Sequence, residues 1–125
     1  MTNYSQSFDP PAPIAEIILR NVETGERTGD VSVLLDTGAD ISLLPLSAIR
    51  KLKIELSGET VDLIGFDESK STSEIYRLQV IFLGKRFTGD YCAIDGEIGI
   101  LGRDVLNEFS ITFDGKSLEW KEEQQ

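Results

Sequence analysis

The sequence predicts an all-β domain, a closed barrel or sandwich of short strands with one short helix near the C-terminus. Short apolar runs of strand character recur at regular spacing, and glycine-containing turn signals separate them. Helical periodicity is confined to two brief stretches.

Residues 1–13 are mostly polar and hold Pro10, Pro11 and Pro13, which predicts a flexible or extended arm. The run from Ile14 to Val22 reads as a strand, and Glu23-Thr24-Gly25-Glu26 as the turn after it. A second strand over Val31–Leu35 completes a hairpin that delivers Asp36 at a strand end. Ile41 to Leu44 is a short apolar segment stopped by Pro45. Leu46, Ile49 and Leu52 share one face and allow two helical turns. Ser57-Gly58 is expected to break the chain before a strand at Val61–Ile64.

The polar stretch from Asp67 to Ser71 reads as a turn leading to a long strand near Tyr76–Leu83. Gly84-Lys85 turns the chain into another strand over Phe87–Ile94. A buried strand follows at Ile98–Leu101, and Arg103 to Phe109 forms the short helix. Ile111-Thr112-Phe113 and Ser117–Trp120 pair through a two-residue turn at Asp114-Gly115. The domain is therefore expected over 14–120, with a polar tail at 121–125.

The 125 residues suit one compact domain able to bury a core without staples. A net charge of -10 repels phosphate backbones and argues against nucleic-acid and anionic-membrane partners. Cys92 is the only cysteine and lies in an apolar stretch, so it reads as a small buried hydrophobe. The chain contains no histidine, which removes Ser–His and Cys–His triads and His-ligated zinc. Acid–base chemistry then falls to carboxylates, lysines or tyrosines. The start of the sequence has no basic, apolar leader, and no run approaches the length that spans a bilayer, so a soluble, cytoplasmic protein is expected.

Two segments carry chemistry. In Val33-Leu34-Leu35-Asp36-Thr37-Gly38-Ala39-Asp40 an apolar strand runs into a carboxylate, a hydroxyl and a glycine that permits a tight turn. In Ile98-Gly99-Ile100-Leu101-Gly102-Arg103-Asp104 an apolar strand meets a glycine and a helix opening with arginine. Arg103 is positioned by this reading to form a bidentate bridge with Asp40.

Together, Leu-Leu-Asp-Thr-Gly-Ala-Asp and Ile-Leu-Gly-Arg-Asp resemble the signature of retropepsins, the single-domain aspartic peptidases of retroviruses and their small stand-alone bacterial relatives. The resemblance spans about residues 14–120. It implies a retropepsin-like barrel that works as a homodimer, with Asp36 as catalytic aspartate and Thr37 bonding across the two-fold axis. It implies that the Gly38 carbonyl meets the substrate backbone, and that Ala39 and Asp40 hold the substrate chain. Leu34, Ile98 and Ile100 fall where such enzymes line their side-chain pockets, Arg103 braces the active-site loop, and Gly65, Phe66, Asp67 and Glu68 fall on the flap. No metal or cofactor is implied. The partners implied are a second copy of the chain and a peptide or protein substrate.

Asp-Thr-Gly occurs once, so a second carboxyl must come from that second copy. A rival reading keeps the same fold and groove in a weak or inactive dimer that binds extended peptides. Another makes the chain a structural dimerisation module.

Overall fold

The computed structural model describes residues 1–54, 56–64 and 68–123, with Ser57 described in its backbone alone. Among these residues the fold is mostly β. Its strands are β1 (Thr2–Asn3), β2 (Ile14–Arg20), β3 (Val31–Leu35), β4 (Leu43–Pro45) and β5 (Leu56–Ile64). After these come β6 (Lys70–Phe82), β7 (Lys85–Ile94), β8 (Gly99–Leu101), β9 (Ile111–Asp114) and β10 (Glu119–Glu122). Two short helices punctuate them, α1 (Leu46–Lys51) and α2 (Arg103–Leu106). α1 occupies the stretch that periodicity allowed, and α2 is the expected C-terminal helix, ended three residues early.

Seven strands form one sheet in the order β2-β3-β8-β4-β7-β6-β5, and a further pairing of β2 with β6 closes it into a barrel. Alternation explains the closure. Along β2, Ala15, Ile17 and Leu19 point inward, and along β6 so do Tyr76, Leu78, Val80 and Phe82. Val33, Leu44 and Leu101, each fully buried, fill the centre from β3, β4 and β8. Cys92 is buried on β7, and burial pushes its thiol pKa up, as suits a packing residue.

β5 and β6 form a long hairpin that projects beyond the barrel. Ser57-Gly58, expected to break the chain, lies inside β5 instead. The pairing with β6 shifts register between Leu56 and Thr60, and Gly58 takes a φ of +82°, so the strand absorbs the irregularity as a bulge.

The termini depart most from expectation. The arm over 1–13 is not free: Thr2 pairs with Trp120 and Asn3 with Glu119, making β1-β10-β9 a three-stranded sheet. The Tyr4 amide donates to the Leu118 carbonyl, and Ser5 bridges Ala12. Of the tail, Lys121 pairs with Thr112 and Glu122 with Ile111, while residues 124–125 lie outside the described residues. The hairpin turn is also wider than two residues. Glu119 pairs with Asp114, and the Asp114 carboxylate accepts the amides of Lys116 and Ser117, which curls 115–118 into a longer loop.

Trp120 pins this sheet to the barrel. It is 4% exposed, its indole N–H donates to the Ile14 carbonyl at 3.2 Å, and its ring lies 6.2 Å from that of Phe82. Trp120→Ala is expected to cost about 3–5 kcal/mol, read as a lowered thermal midpoint.

Candidate active site

The site is built where β3 and β8 run parallel. Val33 pairs with Gly99, Leu34 with Ile100 and Leu35 with Leu101. The ladder continues one bond further, as the Asp36 amide donates to the Leu101 carbonyl at 3.0 Å. Asp36 is thus held by the sheet through its backbone while its side chain, half-buried, stands at the mouth of the loop. Its Oδ1 accepts the Gly38 amide at 2.9 Å, and its carbonyl accepts the Ala39 amide at 3.2 Å. These two bonds wind residues 36–39 into a tight turn.

α2 clamps this turn from below. The Arg103 amide donates to the Ala39 carbonyl at 2.9 Å, and its Nη1 donates to the Thr37 carbonyl at 2.7 Å. The expected Asp40–Arg103 bridge is therefore replaced. No ion pair joins these two among the described residues, and Asp40 is exposed to solvent. The start of α2 passes beneath Thr37–Ala39, so the guanidinium meets a backbone carbonyl there.

The carboxylate that does tie the two segments together is Asp104. Its Oδ2 accepts the Ser42 amide at 3.0 Å and its Oδ1 accepts the Ser42 hydroxyl at 2.7 Å. Ser42 Oγ in turn accepts the Gly102 amide at 2.9 Å. Ser42 is 1% exposed, so its hydroxyl serves two partners out of contact with bulk solvent. Reading residues 41–44 as merely apolar passed over it. The signal was there: a lone hydroxyl in a buried run needs partners. Ser42→Ala orphans the Gly102 amide and one Asp104 oxygen. It is expected to destabilise by about 2 kcal/mol, measured by denaturant unfolding, and to lower any peptidase activity with it.

Both glycines of Gly99-Ile100-Leu101-Gly102 are imposed by contact. A Cβ at Gly99 would lie 2.6 Å from the Leu43 carbonyl oxygen and 2.8 Å from the Pro45 ring. At Gly102 it would lie 2.8 Å from the Ile41 carbonyl and 2.9 Å from that of Ala39. The backbone of the Asp36 loop rests directly on the strand–helix junction.

Above this floor lies a groove of about 510 Å³. Asp36, Gly38, Ala39, Asp40 and Ile100 line it, together with Ile41 and Leu43 and, from the projecting hairpin, Val61–Ile64. The hairpin residues were not anticipated. Leu34, half-buried beside Ile100 in the ladder, and Ile98, 38% exposed ahead of β8, are not among the described lining residues. Of the expected flap, Gly65, Phe66 and Asp67 lie outside the described residues, and Glu68 has a φ of +63°. Thr37 is exposed in the single chain.

A carboxylate on a tight loop, braced from beneath and open to a groove under a long hairpin, defines an aspartic protease fold of the retropepsin kind. Residues 21–105 match the family model described as aspartyl protease, and the chain belongs to that family. Solved structures agree on the fold. The EIAV protease complexed with the inhibitor HBY-793 is 23% identical, with a TM-score of 0.57 over 78% of this chain and 86% of that one. The simian foamy virus (mac) protease, determined in solution, is 15% identical, with a TM-score of 0.53 over 76% of this chain and 92% of that one. No match was found among curated proteins. No helix among the described residues is long and apolar enough to cross a membrane.

Proposed function

We propose that this chain is an aspartic endopeptidase that acts as a symmetric homodimer, hydrolysing a peptide bond with a water held between two Asp36 carboxyls. The observation that carries this reading is the single half-buried Asp36, braced on its turn and facing a groove of about 510 Å³. One carboxyl cannot be both acid and base in the same step. A two-fold axis beside the loop brings in the second. Two carboxyls about 3 Å apart share one proton, an arrangement for which aspartic proteases are the standard example. The ionised member takes a proton from the water, and the protonated one gives its proton toward the scissile amide. These proton affinities belong to the pair.

The rest of the site orients the substrate. The Gly38 carbonyl, Ala39 and Asp40 meet an extended peptide along its backbone, with Ile100 contributing apolar contact. The Thr37 hydroxyl, exposed in the single chain, reaches the partner loop, while Arg103 holds the Thr37 carbonyl from behind. Ile98, exposed ahead of β8, meets substrate or partner once the dimer forms, and Leu34 supports Ile100 from the neighbouring strand. The hairpin of β5 and β6, which lines the groove through Val61–Ile64, covers the peptide.

Sedimentation together with a peptide-library digest tests this. The expected result is a dimer that cleaves faster in acid than at neutral pH, because one carboxyl must keep its proton. A monomer at every concentration, or a rate unchanged from about pH 4 to about pH 9, well beyond carboxyl titration, would count against it.

A further inference from the structure

We propose that this groove selects peptides carrying a lysine or arginine side chain beside the cut bond, an inference that rests on the peptidase reading above. The groove next to Asp36 continues into a second cavity of about 640 Å³, with Leu43, Leu63 and Ile64 lining both. Apart from Asp36, the charged residues among the described lining are Asp40 and Asp62 in the first cavity and Glu74 and Asp95 in the second. All four are acidic.

None of the four is ion-paired among the described residues. Asp62 accepts the Thr72 hydroxyl at 3.3 Å and Glu74 accepts the Tyr76 hydroxyl at 3.1 Å, both neutral donors. Among the described residues Arg103 forms no ion pair with Asp40, and its Nη1 donates to the Thr37 carbonyl instead. The ion pairs among the described residues, Arg77–Asp90 and Lys121–Glu123, involve none of the four. Arg50, whose charge reaches the Tyr76 hydroxyl, and Lys70, at the start of β6, do not line either cavity.

An apolar floor with acidic walls suits a side chain with a long aliphatic stem and a cationic head. The stem lies on Leu43, Leu63 and Ile64 while the ammonium or guanidinium reaches a carboxylate. A glutamate at the same place meets like charge, so the walls discriminate by repulsion as well as attraction. Two-fold pairing doubles the effect, since each peptide passes both copies of the groove.

The test uses the 125-residue chain carrying Asp36→Asn, chosen to hold peptide without cutting it, and peptides identical except for Lys, Gln or Glu beside the scissile position. The Lys peptide is expected to bind at least about tenfold tighter than the Glu peptide, an advantage that shrinks near 1 M salt as charges are screened. Glu74→Gln with Asp95→Asn should reduce that ratio. Equal affinity for Lys and Glu peptides, no binding of either, or a preference that ignores salt and both substitutions would overturn the inference. Wild-type protein that binds the Lys peptide selectively yet never cleaves it would instead count against the peptidase reading and leave this one standing.

Discussion

Asp36→Asn protein is expected, on the proposed mechanism, to fold and dimerise and to lose peptidase activity by about 10²–10⁴-fold, the scale of acid–base catalysis. Folding should survive because the side chain makes one structural bond, from the Gly38 amide to Oδ1, which an asparagine oxygen accepts equally well. The backbone bond from Asp36 to Leu101 is untouched by the change. What disappears is the shared proton: an amide neither abstracts a proton from water nor lends one to the leaving nitrogen.

A mixing experiment separates the shared site from two independent ones. When wild-type and Asp36→Asn chains are exchanged at a fixed total, activity should fall with the square of the wild-type fraction, because only dimers with two carboxyls work. A linear fall would mean that each chain carries a complete site, and the two-fold mechanism would be wrong.

Gly102→Ala is expected to cost about 3 kcal/mol, the upper end for overpacking, and to lower the thermal midpoint by about 10 °C. The backbone at Gly102 is ordinary extended chain, φ -97° and ψ -171°, so conformation is not the obstacle. The obstacle is that the new Cβ meets the carbonyls of Ile41 and Ala39, backbone atoms that cannot rotate aside. Relief requires the Asp36 loop to lift, so activity should drop further than stability alone accounts for. Gly29→Ala is the control, because nothing lies within 4 Å of its new methyl and its midpoint should barely move.

The barrel was legible in the sequence because its signals are local. Alternation along Ile14–Arg20 and Val31–Leu35, and the apolar run before Gly102, follow from a period of two on a half-buried sheet. The hairpin that presents Asp36 could be read for the same reason. Partner choice could not. Arg103 next to Asp104 offered two charges for one loop, and only the path of α2 beneath Thr37 decides that the arginine serves a carbonyl and the aspartate serves Ser42. The arm was misread because polar, proline-bearing sequence is silent about a strand docked by backbone bonds to Leu118 and Trp120. The turn at Asp114-Gly115 widened because the aspartate side chain captures two amides, an outcome the dipeptide alone does not encode.

The clamp from Ser42 to Asp104 closes a span of 62 residues, and that from Thr37 to Arg103 one of 66. Such distant closures are slow steps in folding, met only after much of the chain has collapsed. A nascent chain on the ribosome therefore has no braced aspartate loop until Asp104 has emerged. During synthesis the cell meets a polypeptide that carries the aspartate but cannot yet use it.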